Sequence, residues 1–147
     1  MSRLKVSSLI RMDLSRLFKK RRLKMNNGIF IHGNVPSSKN SKVWTGKMLV
    51  SSGLVYRYKK HTLIQFEAHR NKFIKAAAKK SLPLFVKFTF FRETHQRFDF
   101  NNISQIVCDM MVLCKWIEDD SYKFLVPVFN PEVIIDKSNP GVKIDIL

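Results

Sequence analysis

The sequence predicts an α+β domain in which one small mixed sheet carries two main helices. Apolar residues recur at helical spacing in two segments, whereas β-branched and aromatic residues gather in four others. The predicted order is β-α-β-α-β-β, which is typical of helices packed on one sheet. With 147 residues, of which 45% are hydrophobic, the chain is long enough to form one core.

The N-terminal segment, residues 1–24, differs in composition from the rest. It carries nine bases and one acid, with apolar residues at helical spacing. Two interpretations stay open: a basic amphipathic helix that lies on DNA or on an anionic surface, or an extension outside the domain. We expect the folded domain to span 25–147.

The first strand is predicted at 29–32 and ends at Gly33. Residues 33–47 follow and are rich in Gly, Pro, Ser, Asn and Lys, which favours an ordered loop. Such a loop presents backbone N–H groups and cations together, so it can bind phosphates. The candidate DNA contacts in it are Lys39, Asn40 and Lys42. The alternative is an ordinary turn shaped by Pro36 and Ser37.

A long helix is predicted at about 56–80, with Ser51 and Ser52 as candidate caps. Its predicted inner face consists of Leu63, Phe66, Phe73 and Ala77. Its outer face is basic and consists of Lys59, Lys60, Arg70, Lys72, Lys75 and Lys79. Three aromatic residues, Trp44, Tyr56 and Tyr58, have two open interpretations: stacking on unpaired bases, or packing in the core or in a dimer.

Pro83 ends the helical pattern, and the Phe-rich residues 84–92 predict a strand. A second helix is predicted at about 102–114, with a buried stripe of Ile103, Ile106, Val107, Met110 and Leu113. Closing strands are predicted at 122–129 and 142–147, separated by a loop rich in Pro, Asn and Gly.

Several classes of protein and site are disfavoured. Cys108 and Cys114 lie in an apolar stretch, which favours buried thiols in a reducing compartment over a disulfide or a ligand pair. The histidines show no zinc-type spacing. No apolar run approaches the roughly 18 residues of a membrane span, and the N-terminus lacks the apolar core of a secretory signal. We therefore expect a cytoplasmic protein without a membrane partner.

The charge is unevenly distributed along the chain. The formal net charge is +16, which predicts an anionic partner, with nucleic acid first and an anionic membrane surface or ribosomal RNA next. Residues 25–98 hold fourteen bases and two acids, whereas residues 99–120 hold five acids and one base. A basic protein thus concentrates nearly half of its eleven acids in one short window.

Clustered carboxylates repel one another unless a cation lies among them, and oxygen ligands suit Mg²⁺ or Mn²⁺. In the acidic window, Asp99 and Asn101 are two residues apart, and Gln105 and Asp109 are one helical turn apart. Residues 119–120 follow the helix and can return toward its start. The alternative is a helix cap at Asp99, a surface acid at Asp109 and a solvated turn at 118–120.

Three motifs add a family resemblance. They are "GNVPSSKN" at 33–40, "DFNNISQIVCDMM" at 99–111 and "WIEDD" at 116–120. Through these motifs the chain from about Ile29 onward resembles the RusA-like Holliday-junction resolvases, many of which phages and prophages encode. The resemblance covers the predicted domain and leaves out the basic N-terminal segment.

The resemblance implies a homodimeric, Mg²⁺-dependent endonuclease that nicks four-way DNA junctions symmetrically, in the host cytoplasm if a phage encodes it. It implies no small-molecule cofactor. The implied catalytic residues are Asp99, Asp119 and Asp120, and the implied metal ligands are Asp99, Asn101 and Asp120. Asn102, Gln105 and Asp109 are implied as supporting residues, and Arg97 joins the loop residues Lys39, Asn40 and Lys42 in contacting DNA.

Two positions depart from the family pattern. Asn101 stands where the family has a second aspartate, and Gln105 stands where it has a helix lysine. Losing one negative charge weakens Mg²⁺ binding, and losing the lysine removes a cation near the scissile phosphate. Two functions therefore remain beside a fully active nuclease: cleavage with Mn²⁺ preferred over Mg²⁺, or junction binding with poor cutting. A basic RNA-binding protein of ribosomal type is the third candidate.

Overall fold

The structure is a computed structural model that describes residues 28–37, 42–51 and 53–147. Within these ranges the chain forms seven strands and two helices. The strands are β1 (Ile29–His32), β2 (Lys42–Trp44), β3 (Leu49–Ser51), β4 (Leu84–Arg92), β5 (Leu125–Phe129), β6 (Ile134–Ile135) and β7 (Gly141–Ile146). The helices are α1 (Gly53–Ala77) and α2 (Phe100–Leu113). The prediction of a mixed α+β fold is confirmed.

The main sheet has five strands, and β4 lies at its centre. The strand order is β1-β7-β4-β5, and the short β6 also pairs with β4. β7 runs antiparallel to β1 and to β4, whereas β5 and β6 run parallel to β4. β5 runs parallel to β4, so the chain must cross over between these two strands, and α2 lies in that connection. The acidic window at 99–120 therefore follows shortly after the end of β4.

The core lies between this sheet and the two helices. The even-numbered residues of β4 from Leu84 to Arg92 are buried, whereas Phe85 on the opposite face is 49% exposed. The helices contribute fully buried side chains, among them Phe66 and Phe73 from α1 and Ile103, Ile106 and Met110 from α2. Burial at every second residue indicates that the even face of β4 faces the core, and Thr89 on the other face is also buried.

Two predicted strands, 29–32 and 84–92, have the bounds of β1 and β4. The second helix and the closing strands were predicted within a few residues of α2, β5 and β7. The first helix begins and ends three residues before its predicted bounds. Ser51 belongs to β3 and is not a cap, and Ser52 lies outside the described residues.

The end of the predicted loop at 33–47 forms the first strand and the turn of a hairpin that the sequence analysis missed. β2 and β3 pair antiparallel with Trp44 opposite Leu49, apart from the main sheet. Thr45 N donates to the Met48 carbonyl at 3.1 Å, and Gly46 takes a φ of 88° in the turn. The left-handed conformation of Gly46 explains why glycine suits this turn.

Two residues assigned to buried helix faces are exposed. Leu63 is 37% exposed and Leu113 is 63% exposed, so both assignments were wrong. Each residue advances about 100° around a helix, and Thr62, one step before Leu63, is the residue that faces the core. After α2, the buried position is taken by Cys114.

A buried arginine fastens the loop after β1 to the end of β4. Arg92 is 7% exposed, and its guanidinium Nη1 donates to the Val35 carbonyl. The guanidinium carbon also lies 4.9 Å from the ring centroid of Phe98, in cation–π geometry. Burial lowers the pKa of Arg92. This one side chain therefore holds the loop that follows β1 against the segment that leads into α2.

The remaining predictions about the fold concern thiols and membrane spans. Cys108 and Cys114 are buried free thiols, as expected. Within the described ranges, neither helix has the length and apolar character that crossing a membrane requires. The basic N-terminal segment at 1–24, predicted as a helix or as an extension outside the domain, lies outside the described residues.

Candidate metal and nucleic acid site

The acidic window begins where α2 begins, and Asp99 is the N-cap of that helix. Its backbone is extended, with φ −113° and ψ 130°, and its Oδ1 accepts a hydrogen bond from Asn101 N at 2.8 Å. A carboxylate is well suited to this position because it satisfies a free N–H group and faces the positive end of the helix dipole. The cap uses Oδ1, and the residue remains exposed.

A pocket of about 660 Å³ opens beside this N-terminus. Its lining residues are Ser37, Arg97, Phe98, Asp99, Phe100, Asn101, Asn102 and Phe129. Phe100 and Phe129 stack with centroids 5.1 Å apart and form an aromatic wall. The pocket thus combines a cation, a carboxylate and two amides with an apolar wall, and it joins the loop after β1 to the start of α2.

The far end of α2 closes with a tight reversal. Lys115 N donates to the Val112 carbonyl at 3.0 Å, and Trp116 N donates to the Met111 carbonyl at 2.8 Å. This pair of bonds is the Schellman motif, with Lys115 at the left-handed position and a φ of 58°. The reversal folds the chain after α2 back along the helix.

The returning chain brings Asp120 to Gln105, although the two residues are fifteen positions apart. Gln105 Nε2 donates to Asp120 Oδ2 at 3.1 Å and to Asp109 Oδ1 at 3.0 Å. One side-chain amide has two N–H donors, so a single glutamine serves both carboxylates. The segment after α2 was predicted to return toward the start of the helix, and its observed contact is with Gln105 rather than with Asp99.

α1 supplies the cation of this cluster. Lys59 Nζ lies 3.3 Å from Asp109 Oδ2, and both side chains are more than one third exposed. An ion pair with this exposure contributes roughly 0–1 kcal/mol. The pKa of the buried Cys108 thiol is raised to about 12, first by burial and then by the negative charges of Asp120 and Asp109. We name Lys59, Gln105, Asp109 and Asp120 the carboxylate cluster.

The predicted site residues thus fall into two groups along α2. Arg97, Asp99, Asn101 and Asn102 line the pocket at its N-terminus, whereas Gln105, Asp109 and Asp120 belong to the carboxylate cluster. Asp119 is exposed beside the second group. Six residues separate Asp99 from Gln105, which corresponds to about 9 Å of rise along the helix.

The loop residues predicted to contact DNA are only partly described. Lys39 and Asn40 lie outside the described residues, and Lys42 is described as the first backbone position of β2. Ser37, from the same motif, lines the pocket at the start of α2.

The donor chemistry of the two groups suits Mg²⁺ or Mn²⁺, because carboxylate and amide oxygens predominate. Among the residues that the structure describes, no three His, Cys, Asp or Glu side chains are grouped to hold a metal ion. Mg²⁺ commonly takes one or two carboxylates and completes its shell with water and substrate phosphate. A pair of aspartates with an amide oxygen therefore satisfies the chemistry of this ion.

Sequence reasoning missed three contributors to the site. It placed Lys59 on the basic exterior of the first helix, whereas Lys59 contacts Asp109, fifty positions away. It also missed Phe100 and Phe129 as walls of the pocket. The sequence "RFDF" at 97–100 has Phe at every second position, which is the signal for the part of the wall that Phe100 forms. The position of Phe129 could not be found in this way, because it follows from the parallel pairing of β5 with β4.

Comparison with known proteins gave no assignment. A scan against protein-family models and a search of curated proteins each found no match to this chain. Function is therefore argued from the residues of the pocket and of the carboxylate cluster.

Proposed function

We propose that this protein is a metal-dependent endonuclease that nicks branched DNA, the activity implied by its resemblance to the RusA-like Holliday-junction resolvases. The observation that carries the proposal is the Gln105 amide, which joins Asp109 to Asp120 at 3.0 and 3.1 Å. This contact places Asp109, an acid of α2, near Asp120, an acid of the segment that follows α2. Both lie in a chain whose formal net charge is +16.

The basic surface accounts for substrate binding. The exposed bases of α1 are Arg57, Lys60, Arg70, Lys72 and Lys75, and Arg97 adds a cation at the pocket. Bases that neutralise phosphates release counterions, so affinity falls steeply as salt rises. A polyanion bound by these bases would carry its phosphodiester backbone toward the acidic residues of α2.

The acids account for the chemistry. In the proposal, Asp99 and Asn101 from the pocket and Asp120 from the carboxylate cluster would hold Mg²⁺ or Mn²⁺, with Asp119 beside them. Sharing one ion requires these two groups to approach each other, because Asp99 and Gln105 are about 9 Å apart along α2. At this position a bound ion would supply activation of a water molecule and stabilisation of the charge that develops on the leaving oxygen. Asp109 and Gln105 position Asp120, and Lys59 offsets the charge of Asp109. Two symmetric nicks require two such sites, which is why a homodimer belongs to the proposal.

The test is cleavage of a labelled four-way DNA junction in Mg²⁺, in Mn²⁺ and in chelator. We expect cleavage with metal and none with chelator, and we expect Asp99→Asn and Asp120→Asn each to lower the rate by roughly a hundredfold or more, a typical loss for charge stabilisation at a reacting centre. Glu67→Gln, an exposed acid of α1, is the matched control and should keep the native rate. Equal cleavage in chelator, or by the two aspartate variants, would rule out this proposal.

A second candidate is junction binding without efficient cleavage. It is favoured by Asn101 and Gln105, which are amides, and by Lys59, which already pairs with Asp109. On this view the amide of Gln105 and the ammonium of Lys59 occupy carboxylate oxygens that a metal would otherwise use.

A substitution that adds one negative charge at position 101 distinguishes the active endonuclease from the protein that only binds junctions. If the native protein only binds, Asn101→Asp should create metal-dependent cleavage, whereas an already active enzyme gains little from it. Competition with excess duplex identifies the third candidate, a basic RNA-binding protein, because only a junction-selective complex survives a large excess of duplex DNA.

A further inference from the structure

The hairpin β2–β3 carries an exposed indole that the proposed chemistry does not use. Trp44 is 65% exposed and Met48, at the other end of the turn, is 61% exposed. The turn between them is well defined, because Thr45 Oγ1 also contacts the Met48 carbonyl at 3.1 Å. An ordered turn thus presents two large apolar side chains to solvent.

The second tryptophan of the chain, Trp116, has a structural role and serves as a comparison for Trp44. Trp116 is 4% exposed, and its Nε1 donates to the Phe66 carbonyl at 2.8 Å. It also stacks on Phe73 with centroids 4.8 Å apart. Trp44 keeps most of its ring in solvent, so its large apolar surface contributes little to the stability of the fold.

The surroundings of Trp44 indicate the chemistry of its partner. Residues 42–60 hold five bases and no acid, so an anionic partner is favoured. Large apolar side chains recur in the same stretch, since Leu54 is 58% and Tyr56 is 67% exposed. A partner that offers both negative charge and flat apolar faces is a nucleic acid with unpaired bases.

We propose that Trp44 on the β2–β3 hairpin is a stacking platform for an unpaired nucleotide, an inference that rests on the proposed function of binding branched DNA. In continuous duplex the faces of each base are covered by neighbouring bases. At a branch point or in a single strand these faces are open, and one base can stack on the indole while its phosphate meets Lys47. The hairpin then distinguishes branched DNA from duplex before any bond is cut.

The test is DNA binding by the full chain in chelator, so that no result depends on cleavage. The probes are a fluorescently labelled oligothymidine and a labelled duplex of equal length. We expect Trp44→Ala to weaken binding of the oligothymidine roughly five- to hundredfold, in line with loss of one stacked base, and to change duplex binding less than twofold. Trp44→Phe should restore most of the affinity, and Tyr122→Ala, which removes a 77% exposed aromatic, should leave both affinities unchanged.

Intrinsic fluorescence gives an independent readout. Since Trp116 is buried, oligothymidine should quench the native emission and leave that of Trp44→Phe unchanged. Equal losses for oligothymidine and duplex, or quenching that persists in Trp44→Phe, would overturn the proposal. A change in sedimentation from dimer to monomer in Trp44→Ala would overturn it too, because the hairpin would then face a second copy of the chain.

The two proposals fail separately. If the junction is bound but never cut, the result for Trp44 stands. If Trp44→Ala binds oligothymidine normally and metal-dependent cleavage is intact, the endonuclease stands without the stacking platform.

Discussion

Gln105 determines the geometry of the carboxylate cluster. Its amide donates to Asp109 and Asp120, and Lys59 from α1 pairs with the second oxygen of Asp109. Two carboxylates that would repel each other are thus held beside one helix by an amide and an ammonium. At the residue scale, the two carboxylates are therefore positioned by side-chain donors of the protein.

This arrangement predicts the effect of Gln105→Glu. The substitution keeps the shape of the side chain but replaces two donors with a third carboxylate, so in chelator we expect the free energy of unfolding to fall by about 1 kcal/mol. Mn²⁺ should then recover this loss, because the cation replaces the lost donors. Urea denaturation with and without Mn²⁺ measures both effects.

Gln96→Glu, at an exposed glutamine before α2, is the matched control and should show neither effect. A Gln105→Glu protein as stable as the native one in chelator would show that the amide does not hold the two aspartates.

Asp99 has two roles that substitutions can separate. Asn caps helices about as well as Asp, whereas Ala loses about 1 kcal/mol. We therefore expect Asp99→Asn to keep the native thermal stability, Asp99→Ala to lose about 1 kcal/mol, and both to lose metal-dependent cleavage. Native cleavage by Asp99→Asn would mean that Asp99 is a helix cap and nothing more.

At the element scale, the reversal after α2 has an identifiable cost. Lys115 takes the left-handed position of the Schellman motif, where a side chain costs roughly 1–2 kcal/mol and glycine is preferred. We expect Lys115→Gly to raise the free energy of unfolding by about 1 kcal/mol, measured from urea midpoints.

Lys123→Gly is the control for that measurement, because Lys123 is exposed and does not have a positive φ; it should give no gain. If Lys115→Gly lowered the stability instead, contacts of the lysine side chain would outweigh the backbone cost at this turn.

The elements that sequence predicted well are those with clear stops. β1 ends just before Gly33, and β4 begins just after Pro83, a residue that ends the helical pattern. The sequence analysis missed the β2–β3 hairpin because Gly, Ser and Lys are typical of loops. The signal for the hairpin is that Val43 and Trp44 precede the Thr45–Met48 turn, and Leu49 and Val50 follow it.

The ends of α1 were displaced for a different reason. Ala78 and Lys79 are good helix formers, yet the helix ends at Ala77. A final turn, in which Lys80 N donates to the Ala77 carbonyl at 3.0 Å, leads the chain toward β4. Tertiary structure here overrides the local preference.

At the scale of the whole molecule, the site was predictable only within one segment. Gln105 and Asp109 are four residues apart on one helix, so their contact follows from helix geometry. The contact of Asp120 needs the reversal at Lys115, and that of Lys59 needs the packing of α1 on α2. Neither of these follows from spacing along the chain.

The charge distribution unites these scales. Residues 25–98, with fourteen bases and two acids, precede a window at 99–120 of five acids and one base. Bases at this density bind a polyanion. The five acids would repel that polyanion unless a divalent cation lies between the acids and the bound phosphates. The central claim is therefore that a cation occupies the acidic window.

Binding of Mn²⁺, followed by electron paramagnetic resonance, tests this claim most directly. We predict one site per chain in the native protein, lost in Asp99→Asn and in Asp120→Asn and kept in the exposed control Glu67→Gln. Equal Mn²⁺ binding by all four proteins, or no Mn²⁺ binding by the native chain with or without junction DNA, would contradict it.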